Sequence, residues 1–169
     1  MKYESAKETL KTLGLLDWKT LLLGWDRDWV TTADVANYAV ERLVSNTDEE
    51  NKDVVLLGGA ELLDKDTIRS YLDNLAGNQS KNEMSLEKWR LVFLMELDAM
   101  EVDWNEKVAR LERLVADFDY PNDMSLCTRY GPSQAAIELG FASPGDLKVD
   151  PLDEMKSVIS HLKQRLGVI

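Results

Sequence analysis

The chain has 169 residues, enough for one helical domain with a real core, and its 44 % hydrophobic and 30 % charged composition excludes a disordered segment. Thirty-one acids against 20 bases leave a net charge of −11, which disfavours binding to a phosphate backbone and favours a basic partner. A single cysteine, Cys127, rules out a disulfide framework or a multi-thiolate zinc site and fits a reducing cytoplasm, and no apolar run reaches the ~20 residues of a membrane span.

Helix signals then follow one another along the chain, and strand signals are nearly absent. The polar opening Met1–Ser5 does not read as a secretory leader. Ser5–Leu13 has helix-forming composition and stops at Gly14. Asp17 caps a short apolar helix, Trp18–Leu23, which the glycine at 24 is expected to end.

Thr31 is a good N-cap with Asp34 three residues on, and Val30 and Val35 have the spacing of a hydrophobic staple. The following stripe of Val35, Tyr38, Ala39, Arg42 and Leu43 predicts a helix to about Ser45. Trp18, Trp25 and Trp29 are expected in the core or along a helix seam, with Asp26-Arg27-Asp28 facing water.

Asp48 is placed to cap a helix through Val54–Leu57 that stops at Gly58-Gly59, a pair lacking the lysine and hydroxyl of a phosphate loop. Asp64 caps the next helix, with Ile68, Tyr71, Leu72 and Leu75 on one stripe and Gly77 beyond its end. A polar loop at about 77–82 follows, read as a loop within one domain spanning 1–169, and Ser80 and Glu83 have capping-box spacing.

The helix from Met84 to Met100 is apolar over more than half its circumference, which marks it as central. Asp103 caps Trp104–Phe118, with Trp89 and Trp104 at core-like positions. Asp119-Tyr120-Pro121-Asn122-Asp123 is a turn. Ser133 is placed to cap a short helix over Gln134–Leu139, and Ser143–Asp146 form another turn. Asp150-Pro151 is a strong start signal for the last helix, which carries Leu152, Met155, Val158, Ile159, Leu162 and Leu166 inward. The expected fold is therefore all-α, with seven or eight helices in an irregular bundle or stacked helical hairpins.

No catalytic constellation emerges. His161 is the only imidazole and sits late in a helix, where an exposed polar position explains it. Arg129 lies near Cys127 in sequence, yet a lone cysteine is most often buried and inert. The pairs Asp26/Asp28, Asp64/Asp66 and Glu49/Glu50 form no ordered metal loop, and no Glu–His pair at helical spacing is present. Lys107, Arg110 and Arg113 are interspersed with Glu106 and Glu112, an ordinary salt-bridged helix surface. No catalytic residue, metal ligand or cofactor is assigned on these grounds.

Four stretches carry a resemblance: the segment from Leu15 through Trp18, Trp25 and Trp29 to Leu43; the segment around Trp89-Arg90; Val115–Pro132 with Asp117-Phe118 and Tyr120-Pro121; and Asp150–Leu162. Together they resemble a family of small helical bacterial proteins of unassigned activity, similar to those encoded beside contact-dependent or polymorphic toxins as cognate immunity proteins. That resemblance implies a cytoplasmic inhibitor of a toxin's C-terminal domain, with no catalytic residues of its own. An acidic inhibitor suits a basic nuclease, because its carboxylates imitate phosphates and steer association. The candidate contacts are carboxylates beside aromatics on loops: Trp25, Asp26, Asp28 and Trp29, then Asp119, Tyr120, Asn122 and Asp123. The alternative is a small intracellular enzyme, or a metal- or sugar-binding helical protein, that uses surface carboxylates.

Overall fold

The computed structural model describes residues 5–45, 51–77, 83–129, 139–140 and 149–168. Among these are eight α-helices, two short 3-10 turns and no strand, so the fold is all-α. The helices are α1 Ala6–Thr12, α2 Trp18–Asp26, α3 Thr32–Val44, α4 Lys52–Leu57, α5 Lys65–Ala76, α6 Glu83–Ala99, α7 Trp104–Asp117 and α8 Pro151–Leu166. The 3-10 turns are Ala60–Leu62 and Asn122–Met124. No helix among the described residues is long and apolar enough to cross a membrane.

Starts and stops follow local chemistry. Asp17, Asp64 and Asp103 each accept a hydrogen bond from the amide three residues on, at 2.8–3.0 Å. Thr31 and Asp34 close a full capping box, and the staple residues Val30 and Val35 are both buried. Asp150 caps α8 with Pro151 in its first turn. The expected cap Asp48 lies outside the described residues; α4 begins at Lys52 and is capped by Asn51, whose Oδ1 accepts from the Asp53 amide at 3.0 Å. Ser80 and the short helix expected after Ser133 also fall outside, apart from Leu139, which is in a turn.

The chain divides into two compact units, Met1–Trp89 and Arg90–Ile169. In the first, α2 packs on α5, and α3 on α4 and on the turn Ala60–Leu62. Its interior holds Leu10, Leu21, Val35, Ala39, Leu57, Ile68, Leu72 and Trp89. In the second, Leu91, Phe93, Leu97, Leu111, Leu114, Met124, Met155 and Val158 are buried, and Phe93 meets Phe118 edge-on at 6.0 Å. From Trp89 to Leu94 every residue of α6 is buried, which bears out its reading as a central helix.

Two expectations are corrected. α2 does not end at Gly24 but runs on to Asp26. Gly24 lies inside the helix because the indole of Trp89 packs directly on its Cα, where a Cβ would stand 2.5 Å from Cζ2. Trp104 is not in the core: it is 44 % exposed in the first turn of α7, with its indole nitrogen 3.3 Å from the Asp150 carboxylate.

Candidate functional site

The eight candidate residues fall at two helix ends, one in each unit. At the first, α2 finishes at Asp26 and Arg27, and Asp28 turns left-handed with φ 55°. The Asp28 amide then bonds the Trp25 carbonyl at 3.1 Å and the Trp29 amide bonds the Gly24 carbonyl at 2.8 Å. This pair of bonds is a Schellman closure, which satisfies the last carbonyls of the helix and needs a left-handed residue just past its end. Glycine takes that place after α1, where Gly14 has φ 68°.

The second end is built the same way. α7 finishes at Asp117 and Phe118, and Asp119 turns left-handed with φ 58°. Its amide bonds the Ala116 carbonyl at 3.0 Å, and the Tyr120 amide bonds Val115 at 2.9 Å. Tyr120 also has a positive φ, 52°. Asp28, Asp119 and Tyr120 are the positive-φ residues other than glycine among those described. All three are candidates picked for their chemistry alone. The pattern behind both corners is visible afterwards as Asp-x-Asp-aromatic, at Asp26–Trp29 and Asp117–Tyr120.

Two carboxylates of these stretches are held by arginines. Asp26 is held by Arg69, with Nε donating to Oδ1 at 2.8 Å and Nη2 to Oδ2 at 3.2 Å. Asp123 is held bidentately by Arg90, at 2.8 and 2.7 Å. By contrast the Asp28 side chain is 87 % exposed, with Lys65 Nζ 3.7 Å from its Oδ1. Asp119, Asn122 and Tyr120 are exposed, Tyr120 to 70 %.

The aromatics anchor the first corner. Trp29 is half-buried with its ring 5.5 Å from that of Trp89, and the Arg27 guanidinium lies 5.6 Å from the centre of the Trp29 ring. Trp89 is fully buried and its indole N–H donates to the Thr20 carbonyl at 2.8 Å. Trp25 is half-buried as well. Trp18, expected with them, is half-buried and meets Tyr38 edge-on at 4.8 Å.

The partners Arg69 and Arg90 were not foreseen as parts of these sites. Each lies far from its aspartate in sequence, 43 residues for Arg69 and 33 for Arg90. Arg90 is 6 % exposed, and its Nε has no hydrogen-bond partner. The other chemistry weighed in the sequence gathers no site. Cys127 is buried, and burial first, then the charges of Glu154 and Asp123, push its thiol up to about 12. Arg129 does not activate it but turns to Glu112 and to the Asn105 carbonyl. His161 is exposed on α8. Among the described residues, no group of three or more His, Cys, Asp or Glu side chains is arranged to hold a metal ion.

A family model described as an uncharacterized protein conserved in bacteria, DUF2247, matches residues 8–166. No curated protein and no solved structure matches the chain.

Proposed function

From the premise that the chain belongs to the DUF2247 family of bacterial proteins, we propose that it is an immunity protein: it binds and neutralises a basic toxin domain through an acidic surface and makes or breaks no bonds itself. The observation that carries this reading is the placement of Asp28 and Asp119. Each occupies a left-handed corner where glycine would sit without cost. A side chain with a Cβ costs roughly 1 kcal/mol there, less for Asp than for most. Strain retained at exposed positions is a mark of function, and what these positions gain over glycine is a carboxylate.

Rigidity supports the same reading. Both corners are closed by two backbone hydrogen bonds, and the first is braced by Trp29 against Trp89. A carboxylate carried on a fixed backbone loses less entropy on binding than one on a mobile loop, so more of its attraction for a cation appears as affinity. The net charge of −11 adds long-range steering toward a cationic surface, which raises the rate of encounter.

Co-expression tests the reading directly. The C-terminal domain encoded by the gene immediately upstream is expressed alone and with this chain. The reading expects growth arrest in the first case, rescue and co-purification in the second, and weaker association as salt rises. A toxic upstream domain that the chain neither binds nor neutralises would sink it.

A further inference from the structure

We propose that Tyr120 is the anchor of the partner interface, a ring presented for insertion into an apolar pocket with a basic rim on the partner protein. This rests on the function proposed above and names the contact within it.

Three observations converge on this residue. It is 70 % exposed, the most exposed of the large hydrophobic aromatics among the described residues. Tyrosine in such a position covers no core and supplies the large, stiff, amphipathic area typical of interface hot spots. Next, its backbone is held against two local preferences. A φ of 52° is unfavourable for a bulky L residue, and the residue before a proline prefers an extended conformation, with Pro121 following here.

Finally, the strap that carries it is clamped at both ends. Before the ring, the Tyr120 amide is tied to Val115 at 2.9 Å. After it, Asp123 is gripped by the buried Arg90 and Met124 is fully buried. With its backbone fixed this way, the residue pays only the cost of ordering its ring when it enters a pocket. Arg90 meets the charge of Asp123, while the net charge of −11 makes a partner with lysine or arginine around the receiving pocket the complementary one.

The test uses full-length chains and the toxic domain identified by co-expression, with affinity measured by calorimetry and growth rescue read in parallel. Tyr120→Gly removes the ring and relieves the backbone. The expected result is a melting temperature no lower than wild type together with a loss of at least ~30-fold in affinity, the scale of a hot-spot residue. Tyr120→Asn, which tolerates the left-handed backbone, is expected to lose binding equally, whereas Tyr120→Phe stays within about threefold. If wild type binds and rescues but the Gly and Asn variants bind within about threefold of it, the anchor assignment is wrong and the immunity reading stands. A Phe variant as weak as the Gly variant would overturn the apolar pocket. A wild-type chain that neither binds nor rescues removes the immunity reading and the anchor with it.

Discussion

The buried indole of Trp89 lies on the Cα of Gly24, so close that a methyl group there would come within 2.5 Å of Cζ2. The ring cannot move aside. Its N–H is committed to the Thr20 carbonyl at 2.8 Å, and Trp29 stands 5.5 Å away on its other contact. Gly24→Ala therefore sets two effects against each other. Helix propensity in α2 favours alanine by about 1 kcal/mol, while overpacking a fully buried ring costs about 1–3 kcal/mol. The second prevails, because the ring is fully buried: urea denaturation should show a net loss of up to about 2 kcal/mol. A variant as stable as wild type would mean that the contact is looser than the structure has it.

The Arg90–Asp123 pair sets up a second asymmetry. Arg90 has only 8 % of its side chain exposed, whereas Asp123 has 43 %. Removing the aspartate strands a guanidinium that already has an unpartnered Nε. Asp123→Ala is expected to cost about 2–3 kcal/mol, somewhat below the range for a fully buried pair because water reaches one partner. Asp123→Asn keeps one acceptor and should cost less than half as much. Chemical denaturation of the two variants side by side checks the order, and equal losses would point to the strap's packing as the source.

How much of this was legible in the chain depends on how local each cause is. Asp17, Thr31, Asp64, Asp103 and Asp150 were readable as caps because a cap is decided within four residues. Gly24 was misread because its reason is Trp89, 65 positions away, and a glycine kept for close approach looks the same in a sequence as one that ends a helix. Trp104 fits an apolar stripe by count but sits in the first turn of α7, where the helix end meets water. The aspartates beside the aromatics stand out in the sequence, yet the arginine grip on two of them does not. Arg69 and Arg90 reach Asp26 and Asp123 only through the fold.

Stability and binding should part company at Asp28. Its φ of 55° suits glycine, its side chain is 87 % exposed, and its ion pair with Lys65 at 3.7 Å is solvent-screened, so the fold loses little when it goes. Asp28→Gly is expected to leave the chain as stable as wild type or to raise its stability by up to about 1 kcal/mol, relief of backbone strain outweighing the extra entropy of the unfolded state. Differential scanning calorimetry reads the sign. A marked drop in melting temperature would show that the carboxylate is there for the fold.

The thiol of Cys127 offers a clean probe of the second unit's integrity. Burial and the nearby charges of Glu154 and Asp123 push it up to about 12, so the thiolate is essentially absent at neutral pH. A thiol reagent at pH 8 should leave the native protein unlabelled for as long as it stays folded. After denaturation it should take up one equivalent per chain, the single cysteine of the sequence. Rapid labelling of native protein would contradict the burial.

Acid should loosen the first unit in a defined window. Burial pushes the Asp17 carboxyl up, but the Lys88 ammonium and the amide and hydroxyl of Thr20 outweigh it and hold the group below its ordinary 3.8. At Asp34 burial is likewise outweighed, there by Lys7 at 2.9 Å and by the amide and hydroxyl of Thr31. Each group is easier to protonate in the unfolded chain than in the folded one. The unfolded state therefore binds more protons at acid pH, and stability falls as pH falls. The contribution of these two groups is complete above pH 3.8 and is lost as pH drops through the lower folded values. Asp17→Asn lacks that contribution at every pH. The gap in urea midpoint between wild type and this variant should hold steady from pH 7 to about 5 and narrow below about 4. A gap that stays constant down to pH 2 would mean that Asp17 titrates alike in both states, and that the Lys88 and Thr20 contacts do not favour its charge.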